Sequence, residues 1–495
     1  MRMYNKSFGT AKSFVVFLVL VEGWISVSMS LALPSPERQR MSQHNAIVQE
    51  SDRRMLLNSW PRLWGNQFNV LTYGAKGDGQ TCDTKAFELA WLGACTYAGG
   101  VMVVPAGYVF LVGPIMFKGP CSTNTLVQVD GTILSMPSNS TEWLESKKIW
   151  WLKFVGLNGL TIMGSGLING NGASWWCNSC RRAEVLPKRC RAPTAVKITQ
   201  STNVVVKEVT IQNAAQAHLV FETCSRVLVK EVKVIAPEDS PNTDGISFAD
   251  TQKATVEYSE VSTGDDCVSI KSGSFDIIIH HFKCGPGAGI SIGSLGAKGT
   301  TSCVSNINVY NVTVENASGA VRMKTWQGGS GYVSKVSFEN IRVRNVSHPV
   351  VIDQYYCDTA KCRNHATKAV AISDVKFRNI VGSYDPSYKA VSLACSEKVP
   401  CTGISMVIIT FHDLSVEIQF CEAIAARQVS DMLESELEFV NEHSLLSGLI
   451  RWKYEFQTKQ GDENRAESTS LGIYAQRYFC PNEYDTVLFA GCDHQ

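Results

Sequence analysis

The sequence predicts an all-β solenoid, a parallel β-helix forming a single main domain. Two interleaved repeats carry this. From about residue 204, Val204-Val205-Val206-Lys207-Glu208-Val209 returns as Val227-Leu228-Val229-Lys230-Glu231-Val232. Looser copies follow at Ile277 to Phe282, Ile307 to Val312, Val336 to Ile341 and Val375 to Ile380. Each is a short β-branched run without helical period. Between them lies a second run: Ile246-Ser247-Phe248, Val268-Ser269-Ile270, Ile290-Ser291-Ile292, Val321-Arg322-Met323 and Val350-Val351-Ile352. Short strands recurring every ~22–30 residues with Gly, Asn and Asp turns are the mark of stacked coils. One coil cannot bury its inner face alone. Stacking joins the inner Val and Ile side chains into a column, with strands of successive coils ~4.8 Å apart. The leucine offsets and asparagine ladder of a leucine-rich repeat are absent, and a β-sandwich is the competing reading.

Composition agrees. Of 495 residues, 44% are hydrophobic and 18% charged, which excludes a disordered chain. With 38 dispersed glycines and only 16 prolines, collagen-like and proline-rich readings fall away. A net charge of +1 argues against a globally basic nucleic-acid binder. The charge is uneven, however. Residues 405–495 hold 6 Lys and Arg against 15 Asp and Glu, leaving 40 against 30 in the rest. A basic body suits an acidic partner.

All 17 cysteines lie at or beyond Cys82, a density that points to oxidised pairs in a secreted chain. Residues 1–32 read as a secretory signal: Arg2, Lys6 and Lys12, the apolar run Phe14 to Val21, then Ser30-Leu31-Ala32 as a cleavage site. The run is shorter than the ~20 residues a membrane span needs, so no membrane association is expected after signal removal. Sequons at Asn139, Asn311, Asn316 and Asn345 fit a secreted chain. Residues 33–60 look like a linker or pro-segment. Residues 61–406 form the β-helix domain, and 407–495 a divergent acidic tail.

The second repeat is also a ruler. Ile246 to Val268 is 22 residues, and Val268 to Ile290 is again 22. Two positions before each stand Asp244, Asp266 and Ala288, so one column presents two carboxylates and then a methyl. Asp265 adjoins Asp266. Arg322 and Lys324, spaced i, i+2, leave one strand face together. Crowded carboxylates push at least one pKa upward, so one acid holds its proton while a neighbour stays ionised. Glycosidic hydrolysis needs that pair. The cations suit a substrate carboxylate, so an acidic sugar polymer is favoured over a neutral one. The plainer reading of a turn Asp is a backbone cap. Clustered acids also suit Ca²⁺, but no ligand-loop spacing supports it. No metal and no cofactor are expected.

These residues resemble plant polygalacturonases, pectin-cleaving enzymes of glycoside hydrolase family 28. The resemblance runs from about Phe68 to about Met406. It begins at Phe68-Asn69-Val70-Leu71 and Tyr73-Gly74-Ala75-Lys76-Gly77-Asp78-Gly79 and passes through Gly170-Asn171-Gly172, Trp175-Trp176 and Arg191-Ala192-Pro193-Thr194. Its specific motifs are Asn242-Thr243-Asp244-Gly245, Gly264-Asp265-Asp266-Cys267, Gly287-Ala288-Gly289-Ile290-Ser291-Ile292-Gly293-Ser294 and Arg322-Met323-Lys324. It implies a right-handed helix and an inverting hydrolase of α-1,4-galacturonosyl linkages; together with the signal, the expectation is a monomer secreted to the cell wall. Asp265 would be the general acid. Asp244 and Asp266 would position and activate water. Arg322 and Lys324 would bind galacturonate carboxylates, and Asn242 would orient sugar and acids.

One departure matters. The family has Gly-His-Gly where this chain has Gly287-Ala288-Gly289. Losing an acid/base-supporting imidazole can cost ~10²–10⁴ in rate, so weak turnover, or a pectin-binding wall protein without turnover, is the alternative. A structural β-helix with capping acids is a third reading. His280 and His281 lie in the other strand run and read as packing residues. Cys267 and Cys284 flank the acids and would pin their turns. Cys357/Cys362 and Cys395/Cys401 read as local pairs. Cys177, Cys180 and Cys190 read as oxidised rather than zinc-bound. The tail reads either as a cap on the last coil or as an altered segment.

Overall fold

A computed structural model describes residues 66–411, except 147, 177–191 and 359–366, together with the short strands Val416–Glu417, Trp452–Tyr454 and Ile473–Ala475. The expected signal, the linker, Cys177, Cys180, Cys190, Cys362 and nearly all of the tail lie outside these residues.

Alternating β-branched residues cannot hide both faces of a lone strand, so each strand stacks on its equivalent one coil away. The chain winds as a parallel β-helix of three ribbons. In the first, Leu219, Ile246, Val268, Ile290, Val321 and Val350 are partners in turn. In the second, Val204 pairs with Val227, and the register continues through Ala254, Ile277, Ile307, Val336 and Val375. The third runs from Ile168 through Ile211, Val234, Val261 and Cys284 and on through Val314 and Val343. Both repeats seen in the sequence are therefore ribbons, in the expected register. The inward members are fully buried, and like residues stack: Phe221 on Phe248 at 5.3 Å and Phe338 on Phe377 at 5.4 Å. Truncating such a phenylalanine to alanine costs ~3–5 kcal/mol.

The bends corrected one expectation. From Glu208 onward, the bend between the second and third ribbons has one residue with positive φ in each coil: Glu208, Glu231, Tyr258, His281, Asn311, Asn340, Asn379 and Ile408. Asparagine tolerates this region best among non-glycine residues. In the later coils the asparagines form a ladder, Asn379 Nδ2 donating to Asn340 Oδ1 at 2.8 Å and Asn340 Nδ2 to Asn311 Oδ1 at 3.3 Å. Asn345 likewise donates to Asn316 at 3.0 Å. Three of the four sequon asparagines thus serve as bend residues.

The N-terminal coils are covered by a helix, Thr84–Thr96, that the strand repeats did not announce. Ala86, Phe87, Ala90, Trp91 and Ala94 fall on one face and are buried. Trp91 packs on Phe117 and Phe154, and Cys95–Cys121 ties the helix to the coil below. Cys267–Cys284 and Cys395–Cys401 are bonded as expected, and Cys357 is in a disulfide. At the other end Thr402–Phe411 extends the second and third ribbons to residue 411, past the boundary expected at 406. Among the described residues no helix is long and apolar enough to cross a membrane.

Candidate active site

The acids sit where the chain enters the first ribbon. Because Ile246 pairs with Val268 and Val268 with Ile290, Asp244, Asp266 and Ala288 occupy equivalent places on three coils. The turns leave no room for side chains beside them. A Cβ at Gly245 would meet Cys267 O at 2.5 Å, and one at Gly264 would meet Ser240 O at 1.9 Å. Cys267–Cys284 fixes the second acid turn from inside. Asp244, Asp265 and Asp266 each place one carboxylate oxygen within 4.8 Å of the others.

The three differ in their surroundings. Asp266 is buried, which alone pushes its pKa up, but Lys324 and Arg322 together hold it below the ordinary aspartate value. Lys324 Nζ reaches Oδ2 at 2.9 Å and Oδ1 at 3.1 Å; Arg322 Nη2 reaches Oδ1 at 2.9 Å, and Ser291 donates to it at 2.7 Å. Asp244 is hydrogen-bonded by hydroxyls instead. Ser269 donates to its Oδ2 at 3.0 Å, Ser247 lies 3.4 Å from the same oxygen, and Lys271 stands 4.0 Å away. Burial first, then the charge of Asp266, pushes Asp244 up to about 7. Asp265 is half-buried. Its Oδ1 accepts from the Asp266 amide at 2.9 Å, and its Oδ2 from Asn242 Nδ2 at 3.4 Å. The capping reading thus holds in part for Asp265. Asp244 and Asp266 spend their oxygens on side chains.

The site residues expected from sequence, Asn242, Asp244, Asp265, Asp266, Ala288, Arg322 and Lys324, lie together here. Asn242 holds Asp265. Arg322 and Lys324 are present, but both are engaged by Asp266. The Ala288 amide donates to Asp265 O at 2.9 Å, and its methyl brings no hydrogen-bonding atom to the column. His280 and His281 lie in the second ribbon's strand Ser274–Cys284, where His280 Nε2 is 3.4 Å from buried Glu257.

Three residues were missed. His218 is fully buried beneath Asp244; its Nε2 accepts from the Ala214 amide at 3.2 Å, which leaves Nδ1 to donate to Asp244 O at 3.0 Å. Burial lowers its pKa to about 4, so it is a neutral pin for the acid's backbone. Leu219 to Ile246 is 27 residues, so the 22-residue ruler does not reach it. Tyr356 lies 5.6 Å below the Lys324 ammonium. Lys271 follows Ile270 directly.

A glycosidic bond is cleaved by a carboxyl group that keeps its proton beside one that cannot. Three clustered carboxylates on one face of a solenoid, Asp244 buried among serines and Asp266 bonded to two cations, are the equipment of a β-helical glycoside hydrolase. The profile of Glycosyl hydrolases family 28 matches residues 95–429. The chain is 41% identical to a polygalacturonase of Chamaecyparis obtusa over 68% of its length and 66% of the relative's, and 42% identical to one of Persea americana over 68% and 71%. A probable polygalacturonase of Arabidopsis thaliana is 41% identical over 80% of this chain and 87% of its own. Among solved structures, the endo-xylogalacturonan hydrolase of Aspergillus tubingensis superposes with a TM-score of 0.61 at 23% identity, covering 69% of this chain and 92% of that one. The Erwinia carotovora polygalacturonase superposes at 0.51 with 22% identity, covering 66% and 94%. The chain belongs to glycosyl hydrolase family 28.

Proposed function

We propose that the protein hydrolyses α-1,4-galacturonosyl linkages in pectin, at a rate restrained by Ala288. The observation that carries this is the cluster of Asp244, Asp265 and Asp266 within 4.8 Å, in which Asp266 is bonded to two cations and Asp244 to hydroxyls. The polygalacturonase names of the relatives support the substrate class.

In this reading Asp244 supplies the proton of the cluster, its carboxyl being pushed up to about 7. The proton rests on Asp244 in the free protein and passes within the cluster to Asp265, the acid positioned by Asn242. Asp265 gives it to the glycosidic oxygen as the C1–O bond breaks. Asp266 takes a proton from the water that attacks C1, and Asp244 helps to seat that water. Inverting pairs usually stand ~6.5–9.5 Å apart. This cluster is tighter, so inversion requires the water to be held by Asp244 and Asp266 jointly rather than in a gap between acid and base.

Reducing-end release from polygalacturonate tests the reading. Release that disappears in Asp265→Asn supports it, and NMR of the first anomer formed decides inversion. Ala288 favours a second reading, binding without turnover; polygalacturonate binding with no release in the parent protein would select it. The disulfides support an oxidising, extracellular setting such as the cell wall.

A further inference from the structure

The cations assigned to substrate by sequence are already in use. Arg322 and Lys324 both bond Asp266, and the Lys324 side chain is only 9% exposed. Lys271 differs. Its side chain is 48% exposed, and its ammonium is 4.0 Å from Asp244 Oδ2, beyond hydrogen-bond distance. The Asp244 carboxyl, pushed up to about 7 mainly by burial, is a weak counter-ion for Lys271 in acid.

Its place in the register is informative. Ile270 pairs with Ile292, and Ile292 with Met323. One residue further along, Lys271, Gly293 and Lys324 form a column, with Gly293 paired to Lys324. Gly293 contributes no side chain. The two lysines are therefore two coils apart, about 10 Å along the solenoid axis, one on the Asp244 side of the cluster and one bound to Asp266. A polymer lying along the axis over the acids would pass Lys271 before or after it passes Arg322 and Lys324.

Resting on the proposed function, we propose that Lys271 is a specificity-determining residue that binds the carboxylate of the galacturonate unit on the Asp244 side of the scissile bond. Its ammonium prefers a free carboxylate to a methyl ester, so it would select de-esterified polymer.

The test uses the full-length protein with Lys271→Met and Lys271→Arg, each also in an Asp265→Asn background for binding measurements. The probes are polygalacturonate and highly methyl-esterified pectin. Lys271→Met is expected to raise KM, and the dissociation constant in the Asp265→Asn background, about tenfold on polygalacturonate. Little change is expected on the esterified polymer, and arginine should restore most of the loss. An equal loss on both polymers, or unchanged affinity with only a displaced pH–activity profile, would overturn the inference, the latter because Lys271 would then serve Asp244 alone. A parent protein that neither binds nor cleaves polygalacturonate would overturn the proposed function itself. A parent that binds, with Lys271→Met binding equally well, would sink only the role of Lys271.

Discussion

Asp244 and Asp266 occupy equivalent places on adjacent coils, two residues ahead of paired strands, yet their pKa values move in opposite directions. Burial raises both. What separates them is reach. Asp266 lies close enough to the coil carrying Arg322 and Lys324 for both cations to bond it, whereas Asp244 has serines, a neighbouring acid and one lysine at 4.0 Å. A solenoid makes positions equivalent by repetition. Chemistry enters where a side chain from one or two coils away makes equivalent positions unequal.

The largest expected effect comes from removing the acids that the comparison turns on. Asp265→Asn or Asp266→Asn should lower polygalacturonate hydrolysis by ~10²–10⁴-fold, read as reducing-end release with KM measured in parallel. A drop confined to KM would mean these carboxylates bind sugar without taking part in proton transfer.

Lys324→Met attacks the inequality directly. Asp266 would keep Arg322 but lose its bidentate partner, and its pKa should rise toward that of Asp244. The acid limb of the pH–activity profile should move upward and kcat should fall about 10–100-fold, since stranding a buried charge is costly. A profile that stays in place would show that Arg322 alone sets the charge of Asp266. Ala288→His should move activity the other way. An imidazole at that point of the column would stand next to Asp266 in the same register, and a gain of tenfold or more in release would show that the rest of the machinery is intact.

Much of this was legible in the sequence because two repeats with fixed spacing translate directly into register. Two of the three ribbons and the acid column follow from counting. Other features do not follow from counting. That Arg322 and Lys324 bond Asp266 rather than stay open for substrate depends on side-chain reach between coils. His218 escapes because the coil before Asp244 is 27 residues long, not 22. The asparagine ladder was overlooked because its earlier rungs are Glu208, Glu231, Tyr258 and His281, and only the backbone's positive φ unites them with Asn311, Asn340 and Asn379. The covering helix did carry a signal, the apolar spacing from Ala86 to Ala94, but it falls outside both strand repeats.

The smallest effect is on stability, and its sign separates the two acids. Asp244 titrates at about 7 in the folded chain against 3.8 unfolded. The folded state therefore holds a proton that the unfolded state releases between those values. Stability from this group is fully present below pH ~4 and is lost as pH rises toward 7, with an upper bound of about 4 kcal/mol. Asp266 has the opposite sign. Its folded pKa is lowered, so its contribution is present above the unfolded value and is lost as pH falls through the folded one. Asp244→Asn should consequently stabilise the protein at pH 7, by a few degrees in Tm, and the gain should vanish at pH 4. Asp266→Asn should destabilise at pH 7, because Lys324 and Arg322 lose their buried counter-ion. Thermal melts of both variants at the two pH values check this. Equal shifts in the two variants would mean that the coils hold their acids in the same state, and the division of roles between Asp244 and Asp266 would have to be abandoned.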